Sequence, residues 1–226
     1  MKSLQLLPHR SDARLAALIT HKILLKLPNL SSVLDIGCGD GIVGSLLPAT
    51  LNYRGIDLSD ASIYEQNTND PRISYCSPDQ LNSLLTSSEP ADAVLMLDVL
   101  EHTREFSDLF ESALELAKQY VIVSLPNELF ILDRLRILAG KEHPAHSLDL
   151  ISLPVGFKHQ YLINIAKARR ILGQAAQLHS YELAEEWQQP LVAKNKLVQP
   201  WLWLLRKLST AQLWSTGSVF VFKHRA

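Results

Sequence analysis

Only two cysteines, Cys38 and Cys76, occur among the 226 residues. One possible pair builds no disulfide framework, and no four-ligand zinc set stands out. A reducing compartment is the simpler expectation. Neither charge sign dominates: the formal net charge is -1. That balance excludes a charged disordered tail. It also argues against a general nucleic-acid binder, which carries a basic excess. No apolar run approaches the ~18 residues of a membrane span. Met1 to Arg10 is too short in apolar residues for a secretory leader. Repeats, low-complexity segments and linkers are lacking as well. What is present is 47% apolar residues, enough for a core without a metal or disulfide staple. The expectation is a single cytoplasmic domain over residues 1–226.

Leu15, Leu18, Ile19, Ile23 and Leu27 follow helical spacing, with Ser11 as N-cap and Pro28 as stop, so residues 1–30 form an N-terminal helical segment. Val33 to Ile36, Tyr53 to Asp57, Ile73 with Tyr75, Ala93 to Leu97 and Val121 to Val123 read as short strands. Ser59 caps a helix after the second. Phe106, Leu109, Phe110, Ala113, Leu114 and Ala117 repeat at helical spacing, with Thr103 as a cap. Unbroken apolar runs such as Ala93 to Leu97 fit strands buried on both faces. Alternating strands and helices predict a doubly wound, mostly parallel α/β sheet with helices on both faces. Later segments are less regular. Residues 127–139 and 161–172 read as helical, Leu178 to Leu183 as a strand, and Val219 to Phe222 as a terminal strand. Residues 127–160 and 185–215 are the expected lid and insertions.

Glycines at 37, 39, 41 and 44 follow the first strand directly. Glycine lets the backbone approach a ligand closely, and ligands of open α/β sheets bind beyond the carboxyl ends of the strands. A site is therefore expected just after Ile36, Ile56, Leu97 and Val123. Gly39-Asp40-Gly41-Ile42-Val43-Gly44 also fits the dinucleotide fingerprint, with Asp57 roughly where its ribose acid belongs. Asp35 and Asp40 weigh against that reading, because carboxylates at the loop repel a pyrophosphate. A cationic or zwitterionic ligand suits them better.

The run Asp35-Ile36-Gly37-Cys38-Gly39-Asp40-Gly41 resembles the first motif of the class I S-adenosylmethionine-dependent methyltransferases. The chain is further similar to small-molecule members, including those of quinone biosynthesis, at Asp98-Val99-Leu100-Glu101-His102. The resemblance covers residues 30 to 128. It implies a Rossmann-like seven-stranded sheet with an antiparallel terminal strand, S-adenosylmethionine as cofactor and S-adenosylhomocysteine as product. It implies that Asp35, Gly37, Cys38 and Gly39 wrap the cofactor's methionine part, that Asp57 takes the ribose hydroxyls, and that Leu58 flanks the adenine. Asp79 and Gln80, in a segment with Pro78 where the family has glycine, are placed at the adenine amino group. Asp98 completes the cofactor set. A nicotinamide-dependent oxidoreductase and a non-catalytic S-adenosylmethionine-binding protein are the alternatives.

His102 is the candidate base, since an imidazole titrates near neutral pH; capping a turn is its competing role. Cys38 reads as a small filler. His143, His146 and His159 make no recognisable metal-ligand set by spacing, so no metal is expected, and lid contacts are. The acceptor is expected to be a small molecule, a sugar or a lipid-linked precursor. Residues 197–208, with Trp201, Trp203, Arg206 and Lys207, fit a weak membrane-surface contact; a core or subunit-contact helix is the competing reading.

Overall fold

Along residues 91–97 and 117–126, alternate side chains enter two separate cores, one on each face of a sheet. Their central stretches, Ala93 to Leu97 and Tyr120 to Val123, are unbroken apolar runs because both faces are covered. The structure, a computed structural model, describes residues 5–6, 12–58, 70–148, 158–192 and 196–225. Its strands are β1 (Gln5–Leu6), β2 (Ser32–Ile36), β3 (Asn52–Leu58), β4 (Ile73–Cys76), β5 (Ala91–Leu97), β6 (Ala117–Pro126), β7 (Tyr181–Pro190) and β8 (Ser215–His224). They form one sheet in the order β1-β7-β8-β6-β5-β2-β3-β4. The five strands from β4 to β6 run parallel. β8 is antiparallel to both β6 and β7, and β1 joins β7 in parallel.

The helices are α1 (Asp12–Lys22), α2 (Ile42–Leu46), α3 (Leu81–Thr86), α4 (Phe106–Leu116), α5 (Ile131–Leu138), α6 (Ile165–Leu178), α7 (Gln199–Leu208) and α8 (Ala211–Trp214). Leu15 and Ile19 of α1 share one core with Val33, Leu95 and Ile122. On the other face, Phe110 and Leu114 of α4 and Ala168 and Leu172 of α6 meet Leu34, Val94 and Val123. Burying each large apolar side chain contributes about 1.5–3 kcal/mol, so this helical spacing fixes which side of each helix faces the sheet.

The expected seven strands and antiparallel terminal strand are present, with an eighth, β1, added at the edge beside Trp187. Several boundaries differ from expectation. In the expected N-terminal helical segment, residues 5–6 form a strand, and the helix ends at Lys22 before a separate turn at Leu24–Lys26. Ala117 opens β6 rather than closing α4. The helices expected over 127–139 and 161–172 are confined to Ile131–Leu138 and shifted to Ile165–Leu178. The strand expected over Leu178 to Leu183 is Tyr181–Pro190. Residues 185–190 therefore belong to the sheet and not to an insertion: they pair with β8 on one side and β1 on the other. The caps expected at Ser11 and Ser59, and residues 149–157 of the expected lid, lie outside the described residues.

From β2 the chain runs outward to β3 and β4, then crosses to β5 on the other side of β2. That reversal opens a crevice at the carboxyl ends of β2 and β5.

Candidate active site

Gly37 leaves β2 with φ +74, and its N–H donates to the Ile56 carbonyl at 2.7 Å. A Cβ at Gly37 would lie 2.3 Å from a Val99 methyl carbon, so the turn packs directly under the segment after β5. Gly39, also left-handed at φ +59, differs: a Cβ there would meet nothing within 4 Å. Its outer face is open. Its N–H donates to Asp57 Oδ2, while the Leu58 N–H donates to Asp57 Oδ1 at 2.6 Å. Two backbone donors thus aim the carboxylate at the end of β3. Each oxygen keeps acceptor capacity beyond the donor it already holds. Burial raises the Asp57 pKa, and these two hydrogen bonds oppose the shift. Leu58 is half-buried beside it.

Asp35 lies beneath the loop rather than on its open side. It is 1% exposed and accepts a 3.0 Å hydrogen bond from Tyr53 Oη. Its position in β2 alternates with Leu34 and Ile36, so it faces the α1 layer. Burial pushes its carboxyl up to about 7; Tyr53 opposes the shift and the Asp57 charge adds to it. Cys38 is buried, and burial followed by the Asp35 charge pushes its thiol far up. The thiolate, the reactive form, is thereby suppressed.

Asp79 and Gln80 are exposed on a single turn, Pro78–Gln80. Ser77 is the cap, and its N–H donates to Gln80 Oε1 at 3.1 Å. The Gln80 side chain is thereby committed to the turn.

The other half of the site follows β5 and β6. Asp98 adopts φ +56, a conformation uncommon for residues other than glycine. It is held by Ser124: the Asp98 N–H donates to Ser124 Oγ at 2.9 Å, and Ser124 Oγ donates to Asp98 Oδ1 at 2.8 Å. His102 sits half-buried on the turn Leu100–His102, edge-on to His159 with ring centroids 4.6 Å apart. Burial, then the His159 ring, pulls its imidazole down to about 4. It is neutral at physiological pH, as a base must be, but weaker than an exposed histidine.

Glu128, which sequence reasoning missed, anchors the three later histidines. It is 2% exposed. Oε2 accepts the Ile163 N–H at 2.6 Å, and Oε1 lies 2.7 Å from His159 Nδ1, 3.2 Å from His146 Nε2 and 3.7 Å from His143 Nδ1. Burial works against its charge, but His159 and the Ile163 N–H outweigh that and hold its pKa below the usual range. The available signal was its place two residues beyond the end of β6, on the ligand-binding edge. The carboxyl ends of β2 and β6 are two strand spacings apart, on the order of 10 Å. The glycine loop and the histidine group therefore flank one crevice.

The open face at Gly39, the aimed carboxylate of Asp57 and the free acceptor capacity around them fit a ribose-bearing zwitterion such as S-adenosylmethionine. A family model described as a methyltransferase domain matches residues 8–199. No curated protein matches at a significant level. Among solved structures, the magnesium protoporphyrin IX methyltransferase of Synechocystis PCC 6803, with S-adenosylhomocysteine bound, is 19% identical; the match covers 94% of this chain and 83% of that one, with a TM-score of 0.56. An S-adenosylmethionine-dependent methyltransferase from Archaeoglobus fulgidus is 16% identical over 94% of both chains, at 0.55. The plantazolicin methyltransferase, bound to a triazolic analogue and S-adenosylhomocysteine, is 14% identical over 94% of this chain and 84% of its own, at 0.56. At such identities the likeness is one of fold. The family match spans most of the chain and includes the glycine loop, Asp57, Asp98 and the histidine group: this chain belongs to the methyltransferase-domain family.

Proposed function

We propose that this chain transfers a methyl group from S-adenosylmethionine to a small-molecule acceptor, releasing S-adenosylhomocysteine. The observation that carries the reading is the tie between Asp57 and the open Gly39 at the crevice between β2 and β5. Asp57 holds the ribose hydroxyls by charge-assisted hydrogen bonds, and Gly37 and Gly39 let the backbone lie against the methionine part. Leu58 offers an apolar wall, and Asp98 closes the set at the methyl end. Asp35 acts from below through its field and by bracing Tyr53. Asp79 reaches the adenine side from its exposed turn; Gln80 contributes through its backbone. The bound cofactor supplies an already activated methyl group. The protein's task is then to align the acceptor for in-line attack and, for a hydroxyl or amine, to accept its proton, a role His102 fills.

Both the protoporphyrin and plantazolicin methyltransferases are named for small-molecule acceptors, which supports the same class here. The described parts of segments 127–160 and 191–214 form the acceptor side of a single domain. No helix among the described residues is long and apolar enough to cross a membrane, in keeping with a cytoplasmic enzyme. Equilibrium binding of S-adenosylmethionine and of NAD to the purified chain tests the reading. Tighter binding of NAD overturns it in favour of an oxidoreductase. Binding without turnover to S-adenosylhomocysteine across an acceptor panel leaves only a cofactor-binding protein.

A further inference from the structure

Glu128 lies just beyond β6, and His143 and His146 sit at the two ends of one short turn, yet the donor atoms of all three lie within 4.8 Å of one another. We propose that these three side chains bind a divalent first-row transition-metal ion at the carboxyl end of β6. Metal–ligand bonds of about 2.1 Å place neighbouring donors about 3.0–3.4 Å apart. The separations from Glu128 Oε1 are 3.2 Å to His146 Nε2 and 3.7 Å to His143 Nδ1. Shifts of a few tenths of an ångström complete the geometry.

The hydrogen bonding around His143 points the same way. Asp133 Oδ2 lies 3.4 Å from His143 Nε2 and favours the proton on that nitrogen. The Ala145 N–H donates to His143 Nδ1 at 3.2 Å, which marks Nδ1 as unprotonated. No ring proton then stands between Nδ1 and the Glu128 oxygen 3.7 Å away. A cation placed there competes with the long Ala145 contact and satisfies both. A carboxylate behind a metal-bound imidazole is the usual outer support of such sites, and Asp133 occupies that place. Two imidazoles and one carboxylate on one side of an ion suit zinc or iron(II) better than magnesium or calcium. His159 keeps its bond to Glu128 and links the site to the His102 ring. Use of the ion to hold an acceptor oxygen rests on the methyl-transfer reading; binding of the ion does not.

The test is titration of the full-length, chelator-stripped chain with cobalt(II), read by visible absorption, with zinc as competitor. One equivalent is expected to bind and to be displaced by zinc. His146→Ala is expected to weaken binding by more than the roughly 10- to 100-fold that loss of an outer partner brings, and Asp133→Asn to fall within that range. His21→Ala retains binding. Glu128→Gln removes a partner of the Ile163 N–H, so His143→Ala serves if it does not fold. Absence of stoichiometric cobalt binding, or equal binding by wild type and His146→Ala, overturns the proposal. S-adenosylmethionine binding measured on the same preparation separates the two readings: a chain that binds cofactor but no metal loses only the metal site.

Discussion

Asp57 accepts the Gly39 N–H, so the acid that ends β3 is fastened to the middle of the glycine loop that follows β2. Two strands thereby share one corner of the crevice, and a change at either residue acts on both.

Asp57→Ala is expected to weaken S-adenosylmethionine binding. Losing a hydrogen bond to a charged group costs roughly 1.5–3 kcal/mol, or about 10- to 150-fold in affinity. It also leaves the Gly39 and Leu58 N–H groups without their acceptor, so Asp57→Asn, which keeps one carbonyl oxygen, should be milder. Calorimetry on folded variants checks both. Unchanged affinity in the alanine variant places the ribose elsewhere.

His102→Ala should lower turnover by about 10²- to 10⁴-fold with cofactor affinity near normal. A base of ordinary imidazole strength puts a limb of the rate profile near neutrality, but burial places this one at about 4. The wild-type rate should therefore be level through neutral pH as far as His102 is concerned and fall only in acid. A variant with ordinary turnover makes His102 a packing partner of His159.

Asp35 should leave a signature in stability. Its carboxyl titrates at about 7 in the fold and near 3.9 in an unfolded chain. Between those values the native state holds a proton that the unfolded state does not. Stability of the cofactor-free protein should therefore fall as pH rises from about 4 to about 7, by at most about 1.4 kcal/mol per unit from this group. Asp35→Asn removes this contribution, so its stability relative to wild type should climb across that window and level off beyond it. Urea midpoints at pH 5, 6, 7 and 8 decide it; a difference independent of pH shows that Asp35 is ionised throughout.

The Trp201–Leu208 segment lies on α7 with Trp201 71% and Trp203 56% exposed, whereas Trp214 is 2% exposed and belongs to the core. Only the first two rings are free for a lipid boundary. Arg206 donates to the Leu191 carbonyl at 2.6 Å, and Lys207 lies 4.1 Å from the Trp203 ring centre. Each basic group near an anionic surface adds about 1 kcal/mol, so binding is expected to be weak and salt-sensitive. Co-sedimentation with anionic vesicles at low salt should be lost in Trp201→Ala/Trp203→Ala. Wild type remaining in the supernatant makes α7 a lid or subunit contact.

The parallel sheet, the glycine loop and Asp57 were legible because each rests on short-range pattern. Unbroken apolar runs mark strands covered on both faces, and glycines beyond a strand mark a backbone that must turn sharply against a ligand. β7 was harder to read: Glu182, Glu185, Glu186, Gln188 and Gln189 break its apolar rhythm, and its place between β8 and β1 comes from pairing across the sheet. Asp35 was visible as a residue but not as a buried one; the direction of its side chain follows from the packing of α1 and Tyr53. Residues 128, 143, 146 and 159 illustrate the same limit most fully. Nothing in their spacing joins a carboxylate to three imidazoles, because loops between them can close in many ways at similar entropic cost. The sequence alone determined the parallel strands, the glycine loop and the acid at the end of β3; tertiary packing decided the pairing of β1 and β7 and which histidines meet Glu128, since only the closed fold brings the chain ends of β5 and β6 and the segment before α6 to one edge.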